Sequence, residues 1–146
     1  MKNNNVIEAL ESVLANSYAL YLKTQNYHWN ITGSEFKSLH ELFGAQYQEL
    51  AEAIDEIAER IRALDSLVAA NFKVFDKNSK IKDGDQNSNS QIMLKELYDG
   101  NQLLAEIANL ALEAAQKEGD EATADMMIGR IKIHNKNAWM IKSSLT

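Results

Sequence analysis

Between Phe36 and Leu64 the residues Phe36, Leu39, Phe43, Tyr47, Leu50, Ile54, Ile57, Ile61 and Leu64 recur every three or four positions. Held over about eight turns, that period belongs to one stripe of a long amphipathic helix, whereas a strand would show a period of two. The chain has no proline and only six glycines, so little in it interrupts a helix interior. A single helix cannot bury its own stripe. The fold therefore depends on which other segments pack against it.

Three further segments carry the same spacing. The first runs from about Val6 to Trp29, with Leu10, Val13, Leu14, Ser17, Leu20 and Tyr21 on one side. Asn30 to Gly33 break it, and Thr32 with Glu35 three residues on forms a capping-box pattern for the next helix. After Asp65 the pattern weakens: Val68 to Phe75 suggests a short helix, and DKNSKIKDGDQNSNS reads as a polar loop. A third long helix spans about Gln91 to Lys117, and Gly119 stands where helices end. Asp120 can cap a fourth, running to about Lys142. With no internal repeat and no long linker, residues 1–146 are expected to form one all-α domain. Its plan is an antiparallel four-helix bundle whose crossover, between the second and third long helices, carries the short one.

Composition narrows the function. No apolar run approaches the ~18–20 residues of a membrane span, and MKNNNVIEAL lacks a signal core, so a cytoplasmic location is expected. With no cysteine, a transition-metal site must use His, Asp and Glu, a donor set that suits iron, manganese or zinc. A net charge of −6 opposes general nucleic-acid binding. The loosely basic stretch from Lys73 to Lys82, with Lys77 and Lys80 between, is read as a solvated loop.

The stretch from Lys23 to Leu64 concentrates the metal-ligating side chains: His28, His40, Asp55 and Glu59, with Trp29 beside the first. Asp55 and Glu59 are four apart and share a helix face. His40 precedes Asp55 by fifteen residues, which leaves it rotated by only about 60° but about 22 Å away along the axis. Metal–ligand bonds are about 2 Å, so the two cannot hold one ion within one chain. Two antiparallel copies of the helix, related by a two-fold axis near Gln48, would bring His40 of one beside Asp55 and Glu59 of the other. His28 could then approach from the side of His40. Singly, these residues have plainer readings. Glu49, Glu52 and Glu56 read as solvated charges, His134 as structural or surface, and Trp29 alone as core.

Tyr27-His28-Trp29-Asn30, Gly33, Phe36, Leu39-His40, Phe43 and Asp55-Glu56-Ile57-Ala58-Glu59-Arg60 together resemble the signature of the Dps family, the mini-ferritins that protect DNA during starvation. Length, helix plan, crossover and the Gly119-Asp120-Glu121 turn agree over nearly the whole chain. The resemblance implies a ferritin-like fold and a twelve-subunit shell built from two-fold dimers. It implies oxidation of Fe(II), by hydrogen peroxide in preference to dioxygen, and storage of the ferric product. His28 and His40 would come from one subunit and Asp55 and Glu59 from its partner, a site that Zn(II) or Mn(II) could also enter. Trp29 would donate an electron and limit radical release. Glu121 and Asp125, with Asp120 adjacent, would line the three-fold pores that admit iron.

Two departures bear on these expectations. Gly44 stands where the family usually carries a carboxylate four residues after the second histidine. Glu41, Gln48 or a water is a candidate replacement ligand, and restoring the group with Gly44→Asp is expected to speed oxidation where the missing ligand is what limits it. The alternative is a non-enzymatic shell, or a structural or DNA-compacting relative, with a degenerate centre. The lysine-rich tail of DNA-binding members is also missing, with only Lys2 and Lys142 near the ends, so direct DNA binding is expected to be weak or absent. An ordinary ferritin site would need Glu three residues before a histidine. Those positions are Gln25, Lys37 and Ile131.

Overall fold

The computed structural model describes residues 4–146, and Lys2 lies outside them. Five helices follow one another: α1 Asn4–Asn30, α2 Phe36–Ala63, α3 Phe72–Asn78, α4 Ser90–Lys117 and α5 Glu121–Lys142. No strand occurs among the described residues. Helix α1 packs on α2 and α4, α4 packs on α5, and α3 lies against α1. This is the expected four-helix bundle, with α3 inside the long crossover. Its core has two clusters, one around Leu20, Tyr27, Phe43, Leu97 and Leu104 and the other around Leu10, Val13, Ile57, Ile61 and Met127.

Several boundaries differ from the expectation. The N-cap of α2 is Glu35, with no side-chain cap bond, so Thr32 does not form the capping box. Gly33, at φ 113°, turns the chain so that its carbonyl accepts from Phe36 N at 3.1 Å, and a backbone turn replaces the side-chain cap. The short helix lies four residues later than its apolar content suggests, because Asn71 caps it by accepting from Val74 N at 3.0 Å. The polar loop beyond is pinned to α1. Buried Asn16 accepts from Lys80 N at 2.9 Å, and Asn26 donates to the Gly84 carbonyl at 3.1 Å.

The turn from α4 to α5 uses each residue twice. Gly119, at φ 70°, donates to the Gln116 carbonyl, and Asp120 N donates to that of Ala115 at 2.8 Å, closing α4 with a Schellman motif. The Asp120 carboxylate then caps α5, accepting from Thr123 N and from the Thr123 hydroxyl, and pairs with Arg60 at 3.0 Å. Partial burial pushes this carboxyl up, but the Thr123 bonds and the Arg60 guanidinium outweigh it and hold it below its ordinary value.

Glu49 is not a free solvated charge. It takes a bidentate bond from Arg130, at 2.5 and 3.2 Å. Arg130 also donates to His134 Nε2 at 3.1 Å, and His134 Nδ1 donates to Asn101 Oδ1 at 2.8 Å. This chain of bonds ties α2 to α5 and α4 through a buried histidine. Because the guanidinium can only donate, His134 must be neutral. Burial and then the Arg130 charge push it down to about 3 from an ordinary value of 6.5. The unfolded chain takes that proton near pH 6.5 while the folded one refuses it. The contribution to stability is therefore whole above that pH and is lost as pH falls toward 3, by up to about 1.4 kcal/mol per unit. Urea midpoints should fall across this window in the native protein and fall less steeply in His134→Gln. Equal slopes would contradict a neutral buried His134.

Candidate metal centre

His28 lies in the last turn of α1, where backbone carbonyls lack helical partners. His40 lies in the second turn of α2. The two residues exchange hydrogen bonds: His28 Nδ1 is 2.6 Å from the His40 carbonyl oxygen, and His40 Nδ1 is 2.7 Å from that of His28. A carbonyl only accepts, so each Nδ1 carries a hydrogen and donates it. In a neutral ring held this way the lone pair is on Nε2, the form in which an imidazole ligates a metal. The rings stack with centroids 3.8 Å apart and 13° between planes. Lone pairs lie in the ring planes, so two nearly parallel rings suit two neighbouring ions better than one shared ion.

Glycine at position 44 makes this exchange possible. A helical side chain leans back over the residue four before it, so a side chain at 44 would cover the His40 carbonyl. A Cβ there would meet His28 Cε1 at 2.9 Å and Nδ1 at 3.1 Å. The His28 ring occupies that space. Phe36 stacks on His40 at 5.1 Å, and Tyr47 meets His28 edge-on at 5.2 Å.

The carboxylates stand apart from this pair. Asp55 and Glu59 are exposed, more than three turns further along α2. Among the described residues of one chain no three His, Asp or Glu side chains converge to hold an ion. Trp29 is not core: it is 62% exposed. Glu121 and Asp125 are exposed on the first turns of α5 and border an open hollow with Gln116, Ala124 and Ile128. Asp120 has its carboxylate committed to Thr123 and Arg60.

A family model for ferritin-like domains matches residues 7–146. General stress protein 20U of Bacillus subtilis is 33% identical over 143 residues, spanning 98% of this chain and 99% of the relative. DNA protection during starvation protein 2 of Bacillus anthracis is also 33% identical, with 98% of each chain covered. Among solved structures, Dps from Staphylococcus aureus superposes with a TM-score of 0.95 at 30% identity, covering 99% of this chain and 97% of that one. The chain belongs to the Dps family. The Dps protein of Vibrio cholerae O1, described as a member of a broad superfamily of ferritin-like diiron-carboxylate proteins, gives a TM-score of 0.92 at 35% identity, covering 97% and 89%.

Against the usual Dps pattern Gly44 remains a departure, but its physical meaning changes. Sequence reasoning treated position 44 as a missing ligand to be restored. In the structure any side chain there must displace His28, which two hydrogen bonds and a ring stack hold in place. The role of Tyr47 as a wall of the histidine pair was also missed, because its spacing placed it in the apolar stripe. Gly44→Asp is accordingly expected to break the His28–His40 exchange and to slow any chemistry at the pair. Imidazole nitrogen shifts should show His28 losing its fixed Nδ1–H form. Unchanged shifts with a gain in metal affinity would restore the missing-ligand reading.

Proposed function

We propose that this chain oxidises Fe(II) at centres shared between two-fold-related subunits, stores the ferric product inside a twelve-subunit shell, and so protects DNA from iron-driven oxidation. The observation that carries this reading is the reciprocal locking of His28 and His40, which stacks two imidazoles of fixed orientation 3.8 Å apart. His and carboxylate donors with open positions fit Fe(II). The separation along α2 requires the carboxylates of Asp55 and Glu59 to come from a partner, twice per two-fold interface.

Two Fe(II) ions give hydrogen peroxide the two electrons it needs, so that two protons and one peroxide yield two waters and no hydroxyl radical. Peroxide is the preferred oxidant in this reading and dioxygen the slower one. Asp55 and Glu59 favour the ferric state, since the added charge strengthens their attraction. The same donors accept Zn(II) and Mn(II), which would compete. Glu121 and Asp125 concentrate Fe(II) at the pores, an effect that weakens with salt. Asp120 shapes the turn that presents them. With a net charge of −6, protection comes from chemistry rather than direct DNA binding. The names of the relatives, DNA protection during starvation proteins among them, accord with that role.

The test is stopped-flow oxidation of anaerobically loaded Fe(II) by peroxide, against a protein-free control. The native protein should outpace buffer and keep iron soluble in a large assembly. His28→Ala and His40→Ala should each slow the reaction by at least about 10-fold, the lower end of what losing even an outer-shell partner of a metal ligand costs, with assembly intact. A native rate equal to buffer would favour the non-enzymatic shell.

A further inference from the structure

A permanent cation lies inside the bundle. Arg130 is only 5% exposed, and a buried ion pair adds little to stability beyond what apolar residues of the same volume supply. Its surroundings are those of a bound metal ion. The guanidinium sits between the two carboxylate oxygens of Glu49 and Nε2 of His134, both ordinary ligands of a divalent ion. His134 is also held as a metal-ligating histidine is held. Asn101 Oδ1 takes its Nδ1–H, and the Nε2 lone pair meets the cation.

A third donor stands beside them. Gln46 precedes Glu49 by three residues on α2 and so neighbours it on the helix surface. It is 7% exposed, yet its Nε2 has no hydrogen-bond partner among the described residues, and neither has Arg130 Nε. A buried amide left unpaired is costly. Turned toward Glu49, its Oε1 completes a donor set of carboxylate, imidazole and amide drawn from α2 and α5. Glu49 also gives the place an open edge, since its side chain is 36% exposed.

We propose that Glu49, His134 and Gln46 form a divalent-cation site inside each subunit, that the chain's own guanidinium occupies it, and that Arg130 thereby excludes metal from the bundle. The guanidinium is tethered, always charged and matched to Glu49 as a two-pronged fork. An Fe(II) ion entering past Glu49 has to displace it to gain the same ligands. Iron is thus left to the proposed centre at His28 and His40. The exclusion concerns binding alone, so it stands whether or not that centre oxidises iron.

The test counts bound Co(II), whose visible absorption reports its ligands, in assembled protein carrying His28→Ala/His40→Ala to remove the other histidine ligands. Adding Arg130→Ala should create one further Co(II) site per chain. That site should be lost again on adding His134→Gln, and dilute guanidinium, refilling the space, should displace the ion. Arg130→Lys keeps a cation in place and should bind none. An assembled Arg130→Ala protein with no further Co(II), or with further Co(II) indifferent to His134→Gln, would overturn the site. If Arg130→Ala does not assemble, Zn(II) added to the native protein still decides. The imidazole nitrogen shifts of His134 should stay where they are, as exclusion requires. A His134 shift on adding Zn(II) would show metal displacing the guanidinium and overturn the proposal.

Discussion

The exchange of imidazole hydrogens between His28 and His40 is the constraint on which the site depends. Each ring spends its Nδ1–H on the other residue's carbonyl, so one pair of bonds joins α1 to α2 and fixes the orientation of both rings. Neutral hydrogen bonds contribute only about 1 kcal/mol each to stability. Their larger effect is to fix the orientation of the two rings, which the proposed function needs in place before an ion arrives. The Gly33 turn brings the two helices side by side at the right place, and Gly44 leaves the space the exchange needs.

Elsewhere polar groups are committed in the same way. Asp120 closes one helix, opens the next and holds Arg60. Glu49, Arg130, His134 and Asn101 form one line of bonds across the bundle. By contrast Asp55, Glu59, Glu121 and Asp125 remain exposed in the single chain. The carboxylates that the proposed function gives to iron are ones for which no ion pair is seen among the described residues.

Much of this was legible in sequence because helical periodicity survives without tertiary context. The α2 stripe, the Gly119 stop and the Asp120 cap all lie where the pattern put them, and the arithmetic separating His40 from Asp55 needs only the helix rise. Other features depend on contacts between residues far apart in the chain. Nothing near Gly44 announces that the His28 ring fills its side-chain space, and nothing near Glu49 announces Arg130, eighty-one positions away. Thr32 misled because its spacing to Glu35 suits a capping box, while Gly33 lets the backbone make the turn unaided. Taken alone Trp29 reads as core, because aromatic residues in a helix are usually buried, and here the side chain is exposed.

The central claim is that one subunit's histidines work with another's carboxylates, and mixing inactive variants tests it directly. A His28→Ala/His40→Ala protein and an Asp55→Ala/Glu59→Ala protein would be dissociated together, reassembled and assayed for peroxide-driven Fe(II) oxidation. Sites shared across a two-fold axis predict recovery toward about a quarter of the native rate, since random pairing rebuilds one complete site in four. Co-assembled shells that stay inactive would contradict the shared centre.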